Sequence, residues 1–196
     1  MTDLPMRLME AGCVQFGQFT LKSGLSSPIY IDLRLLVGEP ALLREVAREM
    51  AKKAASLAFD RIAAIPYAGI PIGVALALEL QRPLIYPRRE VKEYGTRRAV
   101  EGPFRPGEVA LVVDDLITRG DSKLEAIAPL EEAGLSVHDV LVLIDRQQGG
   151  AEDLRRRGYA LHAVLRLTDL VEQLRCEERI TAEQYDEVLR YLAQGA

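Results

Sequence analysis

The sequence predicts an α/β fold built on a doubly wound, mostly parallel sheet. Three observations carry that prediction: short runs rich in β-branched and aliphatic residues recur along the chain, longer stretches with helical spacing lie between them, and glycine or proline marks many of the junctions. Apolar runs without strict alternation read as strands buried on both faces, and strands that alternate with helices imply right-handed crossovers between parallel neighbours. Ligands in such sheets bind beyond the carboxyl ends of the strands, so the loops that follow strands are the places to look for chemistry.

The first 35 residues do not fit the alternation. Residues 19–28 are rich in turn formers and lead into a short apolar run at 29–31, which predicts a flap packed over the sheet. Helical spacing covers 41–59, and a strand is expected at 61–65. The turn from Pro66 to Pro71 then exposes N–H groups suited to phosphate oxygens, and Pro71 opens a second apolar helix running to Leu80. Further strands are read at 83–86, 108–113, 139–144 and 160–165, with a helix over 123–133 that Gly134 ends. After a capping-box pattern from Thr181 to Gln184, the residues Tyr185, Val188, Leu189 and Leu192 predict an amphipathic C-terminal helix.

A length of 196 residues is that of one domain, and a composition 48% hydrophobic and 28% charged excludes collagen-like, disordered and disulfide-stapled classes. With 25 basic and 29 acidic residues the net charge is -4, which argues against nucleic acid as a partner and makes any anion site local. Cys13, Cys176, His138 and His162 show no zinc-ligand spacing. Neither a membrane-length apolar run nor a basic-then-apolar leader is read in the chain, so the expected compartment is the cytoplasm, without membrane association.

The most informative stretch is 111–122. An apolar strand is expected to end at the paired carboxylates Asp114 and Asp115, and the chain then passes through Leu116, Ile117, Thr118, Arg119, Gly120, Asp121 and Ser122 into a helix. A glycine-containing turn at a helix N-terminus gathers backbone N–H groups and positive potential at one point, which suits a phosphate. Carboxylates just before it accept hydrogen bonds from vicinal hydroxyls. Together they describe a cradle for a ribose 5-phosphate. Neither a Walker A loop nor a Gly-x-Gly-x-x-Gly fingerprint occurs, which removes support for triphosphate hydrolysis and hydride transfer.

Residues 111–122 resemble the phosphoribosyl-pyrophosphate motif of the type I phosphoribosyltransferases. The segments 21–24 with Ser27-Pro28, 88–95 and Asp145-Arg146 extend that resemblance, in order, toward the orotate phosphoribosyltransferases. It implies a single phosphoribosyltransferase domain over 1–196, with 1–35 as a hood over the active site, acting with Mg²⁺ held mainly by substrate and water. The implied reaction transfers phosphoribosyl from phosphoribosyl pyrophosphate to orotate, giving orotidine 5'-monophosphate and pyrophosphate, a step of pyrimidine synthesis.

The resemblance also implies residue roles. Thr118 stands where 6-oxopurine enzymes usually carry aspartate, and threonine fits the orotate branch. The segment 88–105 holds six basic and three acidic residues and is expected to form a mobile cationic loop that reaches the neighbouring subunit's site in a homodimer with shared active sites. Within it Lys92 is the candidate for stabilising charge on the leaving pyrophosphate, with Arg88, Arg89 and Tyr94 as further donor contacts. Lys22 is expected on both substrates, Tyr30 and Ile31 against the pyrimidine ring, and Arg146 on the orotate carboxylate. Ala68 and Tyr94 depart from the lysine and histidine common in bacterial members, which removes one charged pyrophosphate contact and a proton-transfer role for the loop. Two rival readings remain at this stage: a uracil or purine phosphoribosyltransferase, and a non-catalytic nucleotide sensor on the same fold.

Overall fold

Six strands form the main sheet because the apolar runs supply side chains to both of its faces. In a computed structural model describing residues 3–20, 24, 26–88 and 99–194, the spatial order is β5-β4-β3-β6-β7-β8. The strands are β3 (Arg61–Ala64), β4 (Leu84–Pro87), β5 (Val100–Glu101), β6 (Val109–Ile117), β7 (Ser136–Asp145) and β8 (Ala160–Arg166). All neighbours are parallel except β4 and β5, which pair antiparallel at one edge. Side chains on successive strand residues point to opposite faces. Ile62, Leu111, Val113, Leu141 and Leu143 accordingly enter one core, while Ala63, Ala110, Val112, Val140 and Val142 enter another. The doubly wound expectation holds.

The first core is closed by α2 (Pro40–Ala54), through Leu42, Val46 and Met50, and by α3 (Gly69–Leu80), through Ile72 and Leu76. On the opposite face α4 (Asp121–Glu132) contributes Ile127 and Leu130, and the short α5 (Gly150–Arg156) contributes Leu154. The N-terminal segment holds α1 (Leu4–Glu10) and an antiparallel pair, β1 (Val14–Thr20) with β2 (Ser26–Ile31), followed by a 3-10 turn at Leu33–Gly38. Leu4, Leu8, Ile29, Leu33 and Leu36 join the first core, so the segment packs as part of the body. α6 (Leu167–Cys176) and α7 (Ala182–Gln194) complete that side. The expected capping box starts α7: the Thr181 hydroxyl accepts from the Gln184 N–H at 3.1 Å, and the Gln184 side chain accepts from the Thr181 N–H at 2.9 Å.

The strand order fixes where a ligand can sit. The chain lays down β3 and moves outward to β4 and β5, then returns to place β6 on the other side of β3 and moves outward again. Between β3 and β6 the connections leave in opposite directions, opening a crevice at their carboxyl ends. Two details differ from the sequence reading. Asp114 and Asp115 do not terminate their strand: β6 continues to Ile117, and its last residues pair with β7 through Ile117 and Asp145. Ile31 does not share the exposure of Tyr30: it is 8% exposed and packed in the first core, because adjacent strand residues point to opposite faces.

Candidate active site

A cavity of about 510 Å³ lies at this switch point. The turn after β3 supplies Ile65, Pro66, Tyr67 and Ala68, β6 supplies Asp114, Asp115 and Leu116, and α4 supplies Ser122, Lys123 and Glu125. Arg34 and Arg88 also line it. Gly69 lets the first of these elements close on the second, since a Cβ there would stand 2.9 Å from both Asp114 Oδ1 and the Val113 carbonyl oxygen. Only glycine permits that approach.

The two carboxylates are held rather than free. Asp114 Oδ1 accepts the Asp115 N–H at 2.9 Å, and Asp115 Oδ1 accepts the Leu116 N–H at 2.8 Å. Lys123 Nζ lies 2.6 Å from Asp114 Oδ2, with both side chains less than a tenth exposed. Burial, reinforced by the negative charge of Asp114, pushes the Asp115 carboxyl up to about 7. One cation therefore serves two acids.

Gly120 is the N-cap of α4, and its N–H donates to Asp153 Oδ2 of α5 at 3.2 Å. A Cβ at Gly120 would meet the Asp153 Cβ at 2.7 Å, so the glycine is required here for space. Asp121 and Ser122 occupy the first turn of α4, where N–H groups lack intrahelical acceptors. The Gly120 N–H and the Arg156 guanidinium keep the Asp153 carboxyl below the usual carboxylate range. Arg119 is exposed beside Gly149 and Thr118 is half-buried. Ile117 is fully buried in the second core, so only its backbone is left for the donor contact expected of it. Arg88 is ion-paired with Glu101 across the β4–β5 pair. Lys22, Arg89, Lys92 and Tyr94 lie outside the described residues.

A second polar centre adjoins the first at the carboxyl end of β7. Arg146, 8% exposed, and Gln148, 7% exposed, follow that strand, and the Gln148 amide donates to the Tyr191 hydroxyl of α7 at 3.2 Å. Nε and Nη2 of Arg146 and Oε1 of Gln148 are buried without hydrogen-bond partners. Burial lowers the Arg146 pKa, but a guanidinium keeps its charge across the physiological range. Of the described residues expected on the acceptor base, Tyr30, Ile31, Thr118 and Arg146, none lines the cavity itself. Tyr30 stands at its edge, stacked on Phe19 with ring centroids 5.4 Å apart and 3.3 Å from Arg34 Nη2 through its hydroxyl.

Sequence reasoning missed Arg34, Lys123, Asp153, Gln148 and Tyr191. For Lys123 a signal existed. It occupies the first turn of α4, where the helix dipole disfavours a cation, so its presence needs a local anion. Asp153, Gln148 and Tyr191 are joined to the site by contacts between distant segments, and Arg34, held locally by Asp32, is brought to the cavity only by the fold.

No protein-family model matches the chain. Curated relatives do: the bifunctional enzyme PyrF/PyrE of a Nostoc species is 43% identical over 93% of this chain and 38% of its own length. The orotate phosphoribosyltransferase of Pyrobaculum aerophilum is 42% identical over 96% of this chain and 97% of its own. Among solved structures, Leishmania donovani UMP synthase superposes with a TM-score of 0.91 at 46% identity, covering 98% of this chain and 42% of that one. A Mycobacterium tuberculosis orotate phosphoribosyltransferase, solved in complex with 5-phospho-alpha-D-ribosyl 1-diphosphate, superposes with a TM-score of 0.70 at 26% identity, over 87% of this chain and 99% of its own. The chain thus spans well under half of the Nostoc and Leishmania proteins and nearly all of the Pyrobaculum and Mycobacterium ones. End-to-end similarity to a single-activity relative, on a sheet whose switch point carries the paired acids beside the N-terminal turn of α4, means that this chain belongs to the orotate phosphoribosyltransferase family.

Proposed function

We propose that the protein transfers the phosphoribosyl group of phosphoribosyl pyrophosphate to a ring nitrogen of orotate, giving orotidine 5'-monophosphate and pyrophosphate in pyrimidine (UMP) biosynthesis. The observation that carries this reading is the cavity at the β3/β6 switch, where Asp114 and Asp115 stand beside the N-terminal turn of α4. A 5-phosphate seated on Arg119, Gly120, Asp121 and Ser122 puts the ribose hydroxyls toward the two carboxylates and the pyrophosphate toward the turn at 66–69. As the bond from the anomeric carbon to pyrophosphate breaks, positive charge builds on the sugar and negative charge on the leaving group. Asp114 and Asp115 complement the first. Arg88, with Arg89, Lys92 and Tyr94 of the basic segment, complements the second.

Among the described residues no group of three or more His, Cys, Asp and Glu is arranged to hold a metal ion. Mg²⁺ prefers oxygen ligands and keeps several waters, so the all-oxygen acidic pair of the cavity is chemically compatible with an ion carried mainly by substrate and water, and no direct protein ligand is assigned. Bound in that way it would supply charge neutralisation on the pyrophosphate.

The acceptor is read from Arg146. A buried guanidinium with two unpartnered donor nitrogens calls for a carboxylate, and orotate differs from uracil by that group. Lys22, Tyr30 and Thr118 complete the acceptor contacts in this reading, while core burial leaves Ile31 a supporting place only. In this reading 1–196 act as one phosphoribosyltransferase domain, and the segment 1–35 serves as a hood that is anchored to the body through Leu4, Leu8, Ile29 and Leu33 in the first core. Exposed apolar side chains at Leu35, Val37, Val74 and Leu78 fit a homodimer interface, the last two lying one helical turn apart on α3. Among the described residues no helix is long and apolar enough to cross a membrane, in keeping with a cytoplasmic enzyme.

The test mixes the donor and Mg²⁺ with orotate, uracil, hypoxanthine and adenine in turn and follows pyrophosphate. Release with orotate alone is expected. Release with another base in preference, or with none, would overturn the assignment, and the last outcome would favour a nucleotide sensor.

A further inference from the structure

Lys123 stands out from the donor-site machinery because of where it lies. It is 5% exposed, in the first turn of α4, at the end of a helix dipole that disfavours cations, and its ammonium contacts Asp114 Oδ2 at 2.6 Å and Ser122 Oγ at 3.4 Å. We propose that Lys123 is a positioning residue for donor binding: it fixes the orientation of Asp114 and cancels one of the two carboxylate charges that face the sugar. This inference rests on the reading of the cavity as the phosphoribosyl-pyrophosphate site.

Two demands on the carboxylates conflict. Gripping vicinal hydroxyls needs acceptor oxygens, yet the donor carries several phosphate charges, and two unscreened buried acids would repel it. A cation behind the pair resolves the conflict, because acceptor lone pairs remain while net charge falls. The hydrogen bonds have the form this requires. Asp114 Oδ1 is occupied by the Asp115 N–H and Oδ2 by Lys123, which fixes the carboxylate plane and leaves each oxygen a second lone pair. Asp115 is anchored by the Leu116 N–H. Among the described residues the other charged side chains around the cavity are Arg34, Arg88 and Glu125. Arg34 is bound bidentately by Asp32, and Arg88 is paired with Glu101, so each already has an acid of its own. Lys123 also favours ionisation of Asp115, which burial and Asp114 oppose.

The test is calorimetric titration of phosphoribosyl pyrophosphate into the unaltered protein, Lys123→Gln and Lys123→Arg over a range of pH, beside steady-state kinetics with orotate. Lys123→Gln is expected to weaken donor binding by on the order of thirtyfold, the scale of leaving one partner of a buried charge pair alone. It should also move the acid limb of donor binding upward by about one pH unit, while the KM for orotate changes less than about threefold. Lys123→Arg should keep the parent's acid limb and recover most of the affinity. Donor affinity within about threefold of the parent in Lys123→Gln, or an affinity loss with an unmoved acid limb, would overturn the proposal. Should Lys123→Gln not fold, the Lys123 side-chain resonance in the unaltered protein decides. It is expected to shift on adding donor and to stay put with orotate alone, and no shift with donor would overturn the proposal. If the unaltered protein binds donor but never uses orotate, the acceptor assignment fails and Lys123 is still tested. If it binds no donor, both fail.

Discussion

The two buried ionic centres at the carboxyl ends of β6 and β7 treat charge in opposite ways. At Asp114–Asp115 two acids share an internal cation, and backbone N–H groups fill further acceptor sites. At Arg146 the cation is as deeply buried, yet Nε and Nη2 have no partner. Arg146 interacts with the Tyr191 hydroxyl but has no acid beside it, and a buried charge without a counter-ion is costly, so in the proposed reading the second centre is completed by an anion whereas the first is assembled in advance. The difference matches the roles proposed for them. The donor brings hydroxyls that need fixed acceptors and phosphates that dislike excess negative charge. The acceptor brings a carboxylate that satisfies a waiting guanidinium.

The largest test of that contrast is Arg146→Ala. It is expected to raise the KM for orotate by on the order of a thousandfold, as for loss of one partner in a buried hydrogen-bonded charge pair, with donor affinity nearly unchanged. Steady-state kinetics in both substrates checks this, and equal weakening of both would make Arg146 structural. Next comes Lys92→Ala, expected to lower kcat by on the order of a hundredfold, the scale of one preorganised transition-state contact. Single-turnover measurement separates that loss from product release. An unchanged chemical step would remove Lys92 from the mechanism.

Two smaller effects concern stability. The Asp115 carboxyl is raised in the folded protein to about 7, so between its ordinary value and that point the native state holds a proton that the unfolded chain has lost. Its contribution is fully favourable at low pH and fades as pH rises through about 7. Asp115→Asn removes this dependence and should raise Tm relative to the parent more at pH 8 than at pH 5, with a difference of at least about 3 °C by thermal melts. A gain that is equal at both pH values would show that Asp115 is not the group titrating. Arg146→Met should leave Tm unchanged or raise it by about 2–4 °C, because it removes a buried charge that lacks a counter-ion without emptying the site. A clear fall would mean that the contact of Arg146 with Tyr191 outweighs the missing counter-ion.

Much of the sheet was legible because its chemistry is local. Strands β3, β4, β6, β7 and β8 announce themselves as apolar runs, and the alternation of Ile62 with Ala63, or of Leu111 with Val112, explains why they lack a polar face. Helices α1 and α5 have seven residues each, too few for a periodic pattern to emerge. The apolar alternation of β1 is broken between Phe16 and Phe19, where the register with β2 shifts. α6 carries a plain helical spacing at Leu167, Leu170, Val171 and Leu174, but it follows β8 with no turn residue to separate them. Within the site, Asp114 and Asp115 looked like a strand end because acids are rare in buried strands. They lie inside β6 because Lys123 and backbone N–H groups bear the cost. The orphaned nitrogens of Arg146 are a property of packing against β7 and α7, which no spacing in the sequence encodes.

In the proposed reading the two centres hold the two halves of one product, and a crystal structure with orotidine 5'-monophosphate decides it. The phosphate should rest on the turn from Arg119 to Ser122, the ribose hydroxyls on Asp114 and Asp115, and the pyrimidine carboxylate on the free nitrogens of Arg146. A nucleotide bound with its ribose away from the two aspartates, or with Arg146 still unpartnered, would contradict it.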